Sequence, residues 1–236
     1  MANKTDFSSD KIDIFSFIID ESGSMSYDEE NVTRGLEMYK KSFKNFPEAN
    51  SIAVSLNKFN EHFNPGEFTS ISNFNTYYSA SGGTSLYDAI GEAAKKLQNY
   101  IKEVTKETGC IPRATFIVFS DGESNSDRRY GFESAKGVID GLNYAGINTV
   151  FVAFGSAISS EFGTKLGFTC TIDVNNRDTL VNFLGVELSK SCKEQSKSMK
   201  SLGANFFSQA VDNENSKGYS QATSQVLNDD DWISDI

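Results

Sequence analysis

Acidic and hydroxyl side chains directly follow an apolar segment near the start of the chain, in "FIIDESGSMS" (17–26). The placement of Asp20, Ser22 and Ser24 is compatible with a tight turn, a catalytic nucleophile or one wall of a cation site. Two further segments carry the same residue types, because Thr84 lies in "SGGTSLYDAI" and Asp121 ends "ATFIVFSD". Carboxylates and hydroxyls form an oxygen-only set, which suits a hard divalent ion and Mg²⁺ best. The five residues are therefore candidate metal ligands, with Mn²⁺ and Ca²⁺ as the alternative ions.

The elements that must position these residues alternate between strand and helix. Continuous apolar runs predict buried strands over 11–20, 51–59, 114–121, 147–155 and 168–174, and a short edge strand over 67–71. Apolar spacings of three and four predict helices after a capping box at Ser26 to Glu29 and over about 86–104, 132–142, 158–166 and 177–191. This alternation predicts an α/β fold, doubly wound, with a mostly parallel central sheet and helices on both faces.

In such a fold, functional residues gather where the strands end at the carboxyl edge of the sheet. Asp20 and the two serines come just past the first strand, Asp121 comes just past a later one, and Thr84 precedes a long helix. Any one of these motifs alone is more typical of a turn or a helix cap. Their occurrence on three separate loops favours a shared metal site at this edge.

Four other residues flank the threonine segment or follow it. Asp88, one helical turn after Thr84, is predicted to support the site by hydrogen bonding, with a solvated helix residue as the alternative. Tyr77, Tyr78 and Tyr87 are predicted either to rim a partner surface or to pack in the core or at an edge.

Three segments together resemble the von Willebrand factor A domain family. "DESGSMS" is similar to the family's DxSxS motif, "GGTSLYDAI" to its threonine loop and "FSDGE" to its second aspartate loop. The resemblance covers about 12–189 and implies a Rossmann-like fold with a metal-ion-dependent adhesion site. It implies that Ser22, Ser24 and Thr84 ligate the ion through their hydroxyls. It also implies that Asp20 and Asp121 hold the ion partly through waters, and that an Asp or Glu of a partner fills an open coordination position.

The resemblance implies a Mg²⁺-dependent protein-binding module, and specifically an adaptor in an intracellular complex, as in stand-alone bacterial and phage-like members. A net charge of −10 disfavours nucleic acid and anionic membranes as the main partners. The polar start "MANKTDFSSDK" has no apolar signal core, and an odd count of three cysteines does not indicate a disulfide framework. We therefore expect a cytoplasmic location, which leaves a secreted adhesion module as the disfavoured alternative.

The sequence lacks a group that each of the catalytic functions considered for these residues would require. A haloacid-dehalogenase-type phosphotransferase also places an aspartate after its first strand, but the acid that it needs two residues later is Ser22 here. A serine hydrolase needs a base near its nucleophile, and the only histidine is His62, in "NEHFNPG". Neither a P-loop nor a GxGxxG motif is present. We predict that the protein is not an enzyme, with a metal-dependent phosphatase-like hydrolase as the alternative.

Composition divides the chain into an N-terminal extension (1–10), an A domain (11–192) and a polar tail (193–236) that is predicted to be flexible. Residues 212–236 contain six acids and one lysine, a net charge of −5. The final segment, "NDDDWISDI", is either a solubilising end or a recognition segment in which Trp232 and Ile233 supply apolar anchors beside acids. One of those acids is also a candidate to fill the open metal position, in the same copy or in another, which would produce self-association.

Overall fold

The computed structural model describes residues 11–155, 157–174 and 177–198. Its strands are β1 (Asp13–Asp20), β2 (Ile52–Phe59), β3 (Phe63–Asn64), β4 (Thr69–Ser70), β5 (Arg113–Ser120), β6 (Asn148–Phe154) and β7 (Cys170–Val174). Its α-helices are α1 (Glu29–Ser42), α2 (Leu86–Thr108), α3 (Phe132–Tyr144), α4 (Ser160–Lys165), α5 (Arg177–Asn182) and α6 (Leu188–Lys197). A π-helical turn, Phe183–Glu187, joins α5 to α6.

These strands form one sheet in the order β3-β2-β1-β5-β6-β7. Strand β3 pairs with the carboxyl end of β2, and β4 pairs with its amino end. The five long strands run parallel, and the two short strands are antiparallel to β2. The predicted doubly wound α/β fold is therefore confirmed. The edge strand predicted over 67–71 is the two-residue β4, whereas β3 was not predicted, because two residues are too few to show a hydrophobic period.

Side chains of the central strand β1 alternate between two cores, one on each face of the sheet. Phe15, Phe17 and Ile19 face the core under α1, α5 and α6, and Ile14 and Ile18 face the core under α2, α3 and α4. All eight residues of β1 are buried. Burial on both faces explains why the strand appears in the sequence as a continuous apolar run instead of an alternating one.

Helix α1 begins at Glu29, and the capping box predicted from Ser26 is wrong. A 3₁₀-helix, Gly23–Asp28, occupies that position instead. The carboxylate of Glu29 accepts hydrogen bonds from the backbone N–H of Ala80 and from the hydroxyl of Ser79. The residue predicted to cap its own helix therefore ties the start of α1 to the loop that precedes α2.

Helix α6 continues past its predicted end at Ser191 and packs against the amino ends of β1 and β5. The guanidinium of Arg113 forms a bidentate ion pair with Asp13, at 2.7 and 2.8 Å. It also donates to the carbonyl oxygens of Gln195 and Ser198, each at 2.8 Å. Asp13 and Gln195 are fully buried. The last turn of α6 therefore supplies two of the acceptors that satisfy a largely buried cation.

We expect a protein that ends at Cys192, the predicted domain boundary, to be less stable than one that ends at Ser198. The shorter protein lacks the two carbonyl acceptors of Arg113 and the buried amide of Gln195. Asp13 still pairs with Arg113, but leaving a buried donor without its acceptor costs about 1–3 kcal/mol, which lowers the melting temperature by at least about 2 °C in a chain of this size. Thermal unfolding of both proteins, followed by circular dichroism, measures the difference. Equal melting temperatures would support the boundary at 192.

Candidate metal centre

Three loops meet at the carboxyl edge of the sheet. The first loop (21–28) follows β1, the threonine loop (79–85) precedes α2, and the aspartate loop (121–131) follows β5. Since β1 and β5 are neighbouring parallel strands, Asp20 and Asp121 leave the sheet at the same edge. The polarity of the two strands therefore places both carboxylates where the sequence predicted them.

A chain of hydrogen bonds joins four of the five candidate ligands. The hydroxyls of Ser22 and Ser24 are 3.0 Å apart, and the Ser24 hydroxyl donates to Asp121 Oδ1 at 2.9 Å. The Ser22 N–H donates to Asp20 Oδ1 at 2.9 Å, and Ser120 Oγ donates to Asp20 Oδ2 at 2.6 Å. The structure thus brings these four side chains together in one cluster.

Backbone hydrogen bonds hold the threonine loop against the first loop. The N–H of Gly23 donates to the carbonyl oxygen of Gly82 at 2.9 Å, and the N–H of Ser81 donates to the carbonyl oxygen of Glu21 at 2.8 Å. A Cβ added at Gly23 would lie 3.2 Å from the Gly82 oxygen. A side chain at position 23 would therefore press the two loops apart. This close approach explains why a glycine suits position 23 of the DxSxS segment.

The aspartate loop holds Thr84 from the other side. Asn125 accepts the Thr84 N–H on Oδ1 at 2.9 Å, and the Thr84 carbonyl accepts the N–H groups of Asn125 and Ser126 at 2.9 and 3.0 Å. A Cβ added at Gly83 would lie 2.3 Å from Ser126 Oγ. These bonds use only the backbone of Thr84, so the loop fixes the position of this residue while its hydroxyl stays available as a ligand.

Burial controls the charge state of the two carboxylates. Asp20 is fully buried, and burial raises the pKa of its carboxyl to about 6, although hydrogen bonds from Ser120 and Ser22 act in the opposite direction. Burial also raises the pKa of Asp121. A cation beside these groups would offset the cost of burying their charge. Two carboxylates with three hydroxyls also match the oxygen ligands of a hard divalent ion, so the residues fit such a metal.

Of the three tyrosines near the threonine loop, Tyr78 is a core residue. It is 5% exposed, and its hydroxyl donates to the backbone carbonyl of Asp20 at 2.6 Å. Of the two alternatives for this residue, a partner surface is therefore excluded and packing in the core applies, because its ring lies beneath the site. Tyr77 is 66% exposed, and Tyr87 is partly buried and packs edge-on against a phenylalanine of α3. Trp232, the fourth predicted partner residue, lies outside the described residues.

Asp88 holds the aspartate loop in place. Its carboxylate accepts the N–H groups of Arg128, Arg129 and Tyr130 at 2.8–2.9 Å. Burial acts to raise the pKa of this carboxyl, but the backbone hydrogen bonds lower it overall. The supporting role expected for Asp88 stays a prediction, and these contacts are the route by which it would act.

Four further polar residues of this region, which no sequence motif indicated, are Ser120, Ser124, Asn125 and Asp127. Ser124 Oγ accepts the N–H of Leu86 at 2.9 Å and lies 3.1 Å from the carbonyl oxygen of Thr84. Asp127 accepts the hydroxyl of Ser124 and the N–H of Asp88. The run "SDGESNSD" is dense in short polar side chains, but such runs are typical of loops, and the sequence does not show which distant groups they contact.

Within residues 11–155, 157–174 and 177–198, no three or more His, Cys, Asp or Glu side chains form a group that could hold a metal ion. The five candidate ligands differ from such a group because three of them are hydroxyls. In the same ranges, none of the helices combines the length and the apolar character that crossing a membrane requires.

Several solved structures share this fold. The pilus adhesin SpaC from Lactobacillus rhamnosus GG, in its open conformation, has a TM-score of 0.63 at 13% identity, over 80% of this chain and 30% of the adhesin. The manganese-loaded TRAP protein of Plasmodium vivax has a TM-score of 0.52 at 17% identity, over 73% and 72% of the two chains. Proximal thread matrix protein 1 from the mussel byssus, with a zinc-occupied MIDAS motif, has a TM-score of 0.51 at 12% identity, over 77% and 46%. The chain thus spans less than a third of the adhesin's length.

Sequence comparison gives the family. No curated protein matches the chain. The family model of the von Willebrand factor type A domain matches residues 15–178, which is more than half of the chain and includes all five candidate ligands. The resemblance seen in the three sequence motifs is therefore confirmed, and the chain belongs to the von Willebrand factor type A domain family.

Proposed function

We propose that this chain is a metal-dependent protein-binding module, in which Mg²⁺ at the carboxyl edge of the sheet accepts an Asp or Glu carboxylate of a partner protein. The observation that carries the proposal is the hydrogen-bonded cluster of Asp20, Ser22, Ser24 and Asp121, set against the loop of Thr84. Support also comes from two proteins of the same fold, the manganese-loaded TRAP protein and the byssus matrix protein with its zinc-occupied MIDAS motif.

The five residues would hold the ion through two types of oxygen. The hydroxyls of Ser22, Ser24 and Thr84 would supply neutral oxygen ligands. The carboxylates of Asp20 and Asp121 would supply negative charge, directly or through waters. When bound, the ion supplies positive charge and an open coordination position that attracts a carboxylate. Because Ser24 is exposed while Asp20, Ser22 and Thr84 are buried, a partner would approach from the Ser24 side.

Exposed tyrosines beside the site are proposed as partner contacts. Tyr77 is 66% exposed and precedes the threonine loop, and Tyr27 is 81% exposed and lies three residues after Ser24. The ammonium of Lys58 lies 5.0 Å from the Tyr77 ring centroid and forms an ion pair with Glu21 at 2.8 Å. Tyrosine is enriched in protein interfaces because it combines a large apolar ring with a polar tip. These rings would therefore surround the carboxylate that enters the metal position.

We further propose a binding role without catalysis, as an adaptor inside the cell. None of the three cysteines, Cys110, Cys170 and Cys192, forms a disulfide, as expected of a protein in a reducing compartment. A phosphatase assay with a generic phosphate ester in Mg²⁺ tests the non-catalytic role. Turnover by the wild-type protein that Asp20→Asn abolishes would contradict it.

Mg²⁺ is expected to raise the melting temperature of the wild-type protein but not of Asp20→Asn. A ligand at a hundredfold excess over its Kd stabilises the fold by about 2.7 kcal/mol, or roughly 5–10 °C for a chain of this size. In EDTA at neutral pH, Asp20→Asn should melt at or above the wild-type temperature, because it removes a charge that is disfavoured by burial. Thermal shift measurements in Mg²⁺ and in EDTA test both statements.

Glu123→Gln is the matched control for this measurement. It removes the same charge from an exposed side chain two residues after Asp121, so it should keep the full response to Mg²⁺. Identical melting of the wild-type protein in Mg²⁺ and in EDTA would contradict the metal site. A full response in Asp20→Asn would mean that the ion binds elsewhere.

Thr84→Ala should weaken metal binding without disturbing the fold, because the backbone bonds of Thr84 remain. We expect its melting temperature in EDTA to stay within about 4 °C of wild type, and its affinity for Mn²⁺ to fall at least about tenfold. Thr84→Ser retains the hydroxyl and should retain most of the affinity. A titration with Mn²⁺ followed by electron paramagnetic resonance measures the three affinities.

The same variants connect the metal to partner binding. Affinity capture from a cell extract should yield proteins that bind the wild-type chain in Mg²⁺ and not in EDTA. Thr84→Ala should lose these proteins, and Thr84→Ser should keep them. Undiminished capture by a folded Thr84→Ala protein would show that the partner binds a metal-independent surface.

A further inference from the structure

A basic groove of about 620 Å³ lies at the amino edge of the sheet, at the opposite end of the domain from the candidate metal centre. Its walls come from the last turns of α1, from the segment before β2, and from β4 with the turn that follows it. The residues that define this basic groove are Glu37, Lys40, Lys41, Phe43, Lys44 and Ile71.

The groove carries positive charge in an acidic protein. Three lysines and one glutamate give it a net charge of +2, in a chain whose net charge is −10. Within the described residues, Lys40, Lys41 and Lys44 form no ion pairs. Lys193 adds a fourth ammonium beside the groove, 5.0 Å from the ring centroid of Phe43. The surface therefore favours an anionic ligand.

The floor of the groove is apolar. Phe43 and Ile71 belong to the core under α1 and are only 2% and 3% exposed, so the apolar surface of the groove comes from the partly exposed Ala49 and from the aliphatic stems of the lysines. Lysines around an apolar floor fit a segment in which acids stand directly beside large apolar side chains. The chain contains such a segment at 228–236, where three consecutive aspartates precede Trp232 and a following isoleucine.

The described part of the chain ends on the same side of the molecule as the groove. Ser198 accepts a hydrogen bond from Arg113 at the start of β5, and Lys193 lies over the ring of Phe43. The twenty-nine residues from 199 to 227 can span up to about 100 Å, so the connecting chain is long enough to reach the groove. The metal centre is at the far end of the eight-residue strand β1, about 26 Å away. A tethered segment is present at an effective concentration on the order of 1 mM.

We propose that residues 228–236 dock in the basic groove of their own chain. The carboxylates of the three aspartates pair with Lys41 and Lys44, and Trp232 packs on Ala49 and on the aliphatic stems of the lysines, above the buried Phe43 and Ile71. This docking site is distinct from the candidate metal centre and does not depend on metal. The docked segment excludes other anions from the groove while it leaves the opposite edge of the sheet open to a partner.

Fluorescence of the full chain tests the proposal, because Trp232 is the single tryptophan and reports on this segment alone. Docking predicts an emission maximum to the blue of the free peptide NDDDWISDI, and weaker quenching by acrylamide. The double variant Lys41→Glu/Lys44→Glu should lower the ratio of docked to free segment about tenfold. The matched control Lys102→Glu/Lys106→Glu changes the same charge on the exposed side of α2 and should have no effect.

A charge exchange separates loss of docking from loss of fold. Adding Asp230→Lys and Asp231→Lys to the Lys41→Glu/Lys44→Glu protein should restore the wild-type emission, and EDTA should change nothing. Emission equal to that of the peptide in the wild-type protein would overturn the proposal. Release by EDTA but not by the lysine variant would place the segment at the metal centre instead. Protection that grows with protein concentration would show that a second copy provides the groove.

Discussion

The buried carboxylate of Asp20, at the end of the central strand, is the constraint on which the candidate site depends. Its oxygens accept hydrogen bonds from Ser120 and Ser22, and its backbone carbonyl accepts the hydroxyl of Tyr78. These donors come from β5, from the first loop and from the segment before the threonine loop. Burial nevertheless raises the pKa of the carboxyl to about 6, so the hydrogen bonds do not fully compensate for lost hydration. A divalent ion beside the carboxylate would stabilise its negative charge and so offset the remaining cost of burial.

Helix α2 fixes two of the three loops at once. Its amino end presents the threonine loop, and its first turns hold the aspartate loop, because Asp88 accepts the N–H of Tyr130 at 2.8 Å. The ring of Tyr130 packs where a side chain at Gly91 would otherwise lie, since a Cβ there would be 2.2 Å from a ring carbon. The loops that carry Thr84 and Asp121 therefore share one rigid element, although 37 residues separate these two residues in the sequence.

The sequence predicted those parts of the site that depend on local signals. The polarity of parallel strands places Asp20 and Asp121, and a glycine turn before a helix places Thr84. The hydrogen-bond partners were not predictable, because Ser120 and Asp20 are 100 residues apart and Asn125 and Thr84 are 41 apart. Two alternatives stayed open for Tyr78, a partner surface and the core, because proximity to a loop in sequence does not determine which side chains the core buries. The capping box at Ser26 failed because the 3₁₀-helix Gly23–Asp28 delays the start of α1.

Helix α1 spans the distance between the two ends of the domain. The carboxylate of its first residue, Glu29, accepts a hydrogen bond from the loop before α2. Its last turns carry the lysines of the basic groove. Its middle is held tightly, because a Cβ at Gly35 would lie 2.8 Å from Leu184 Cβ in the π-helical turn. Coupling between two sites requires an element with two arrangements that the ligands distinguish. A helix packed this closely on its neighbour has little room for a second arrangement, so occupation of the groove and occupation of the metal centre should be energetically independent.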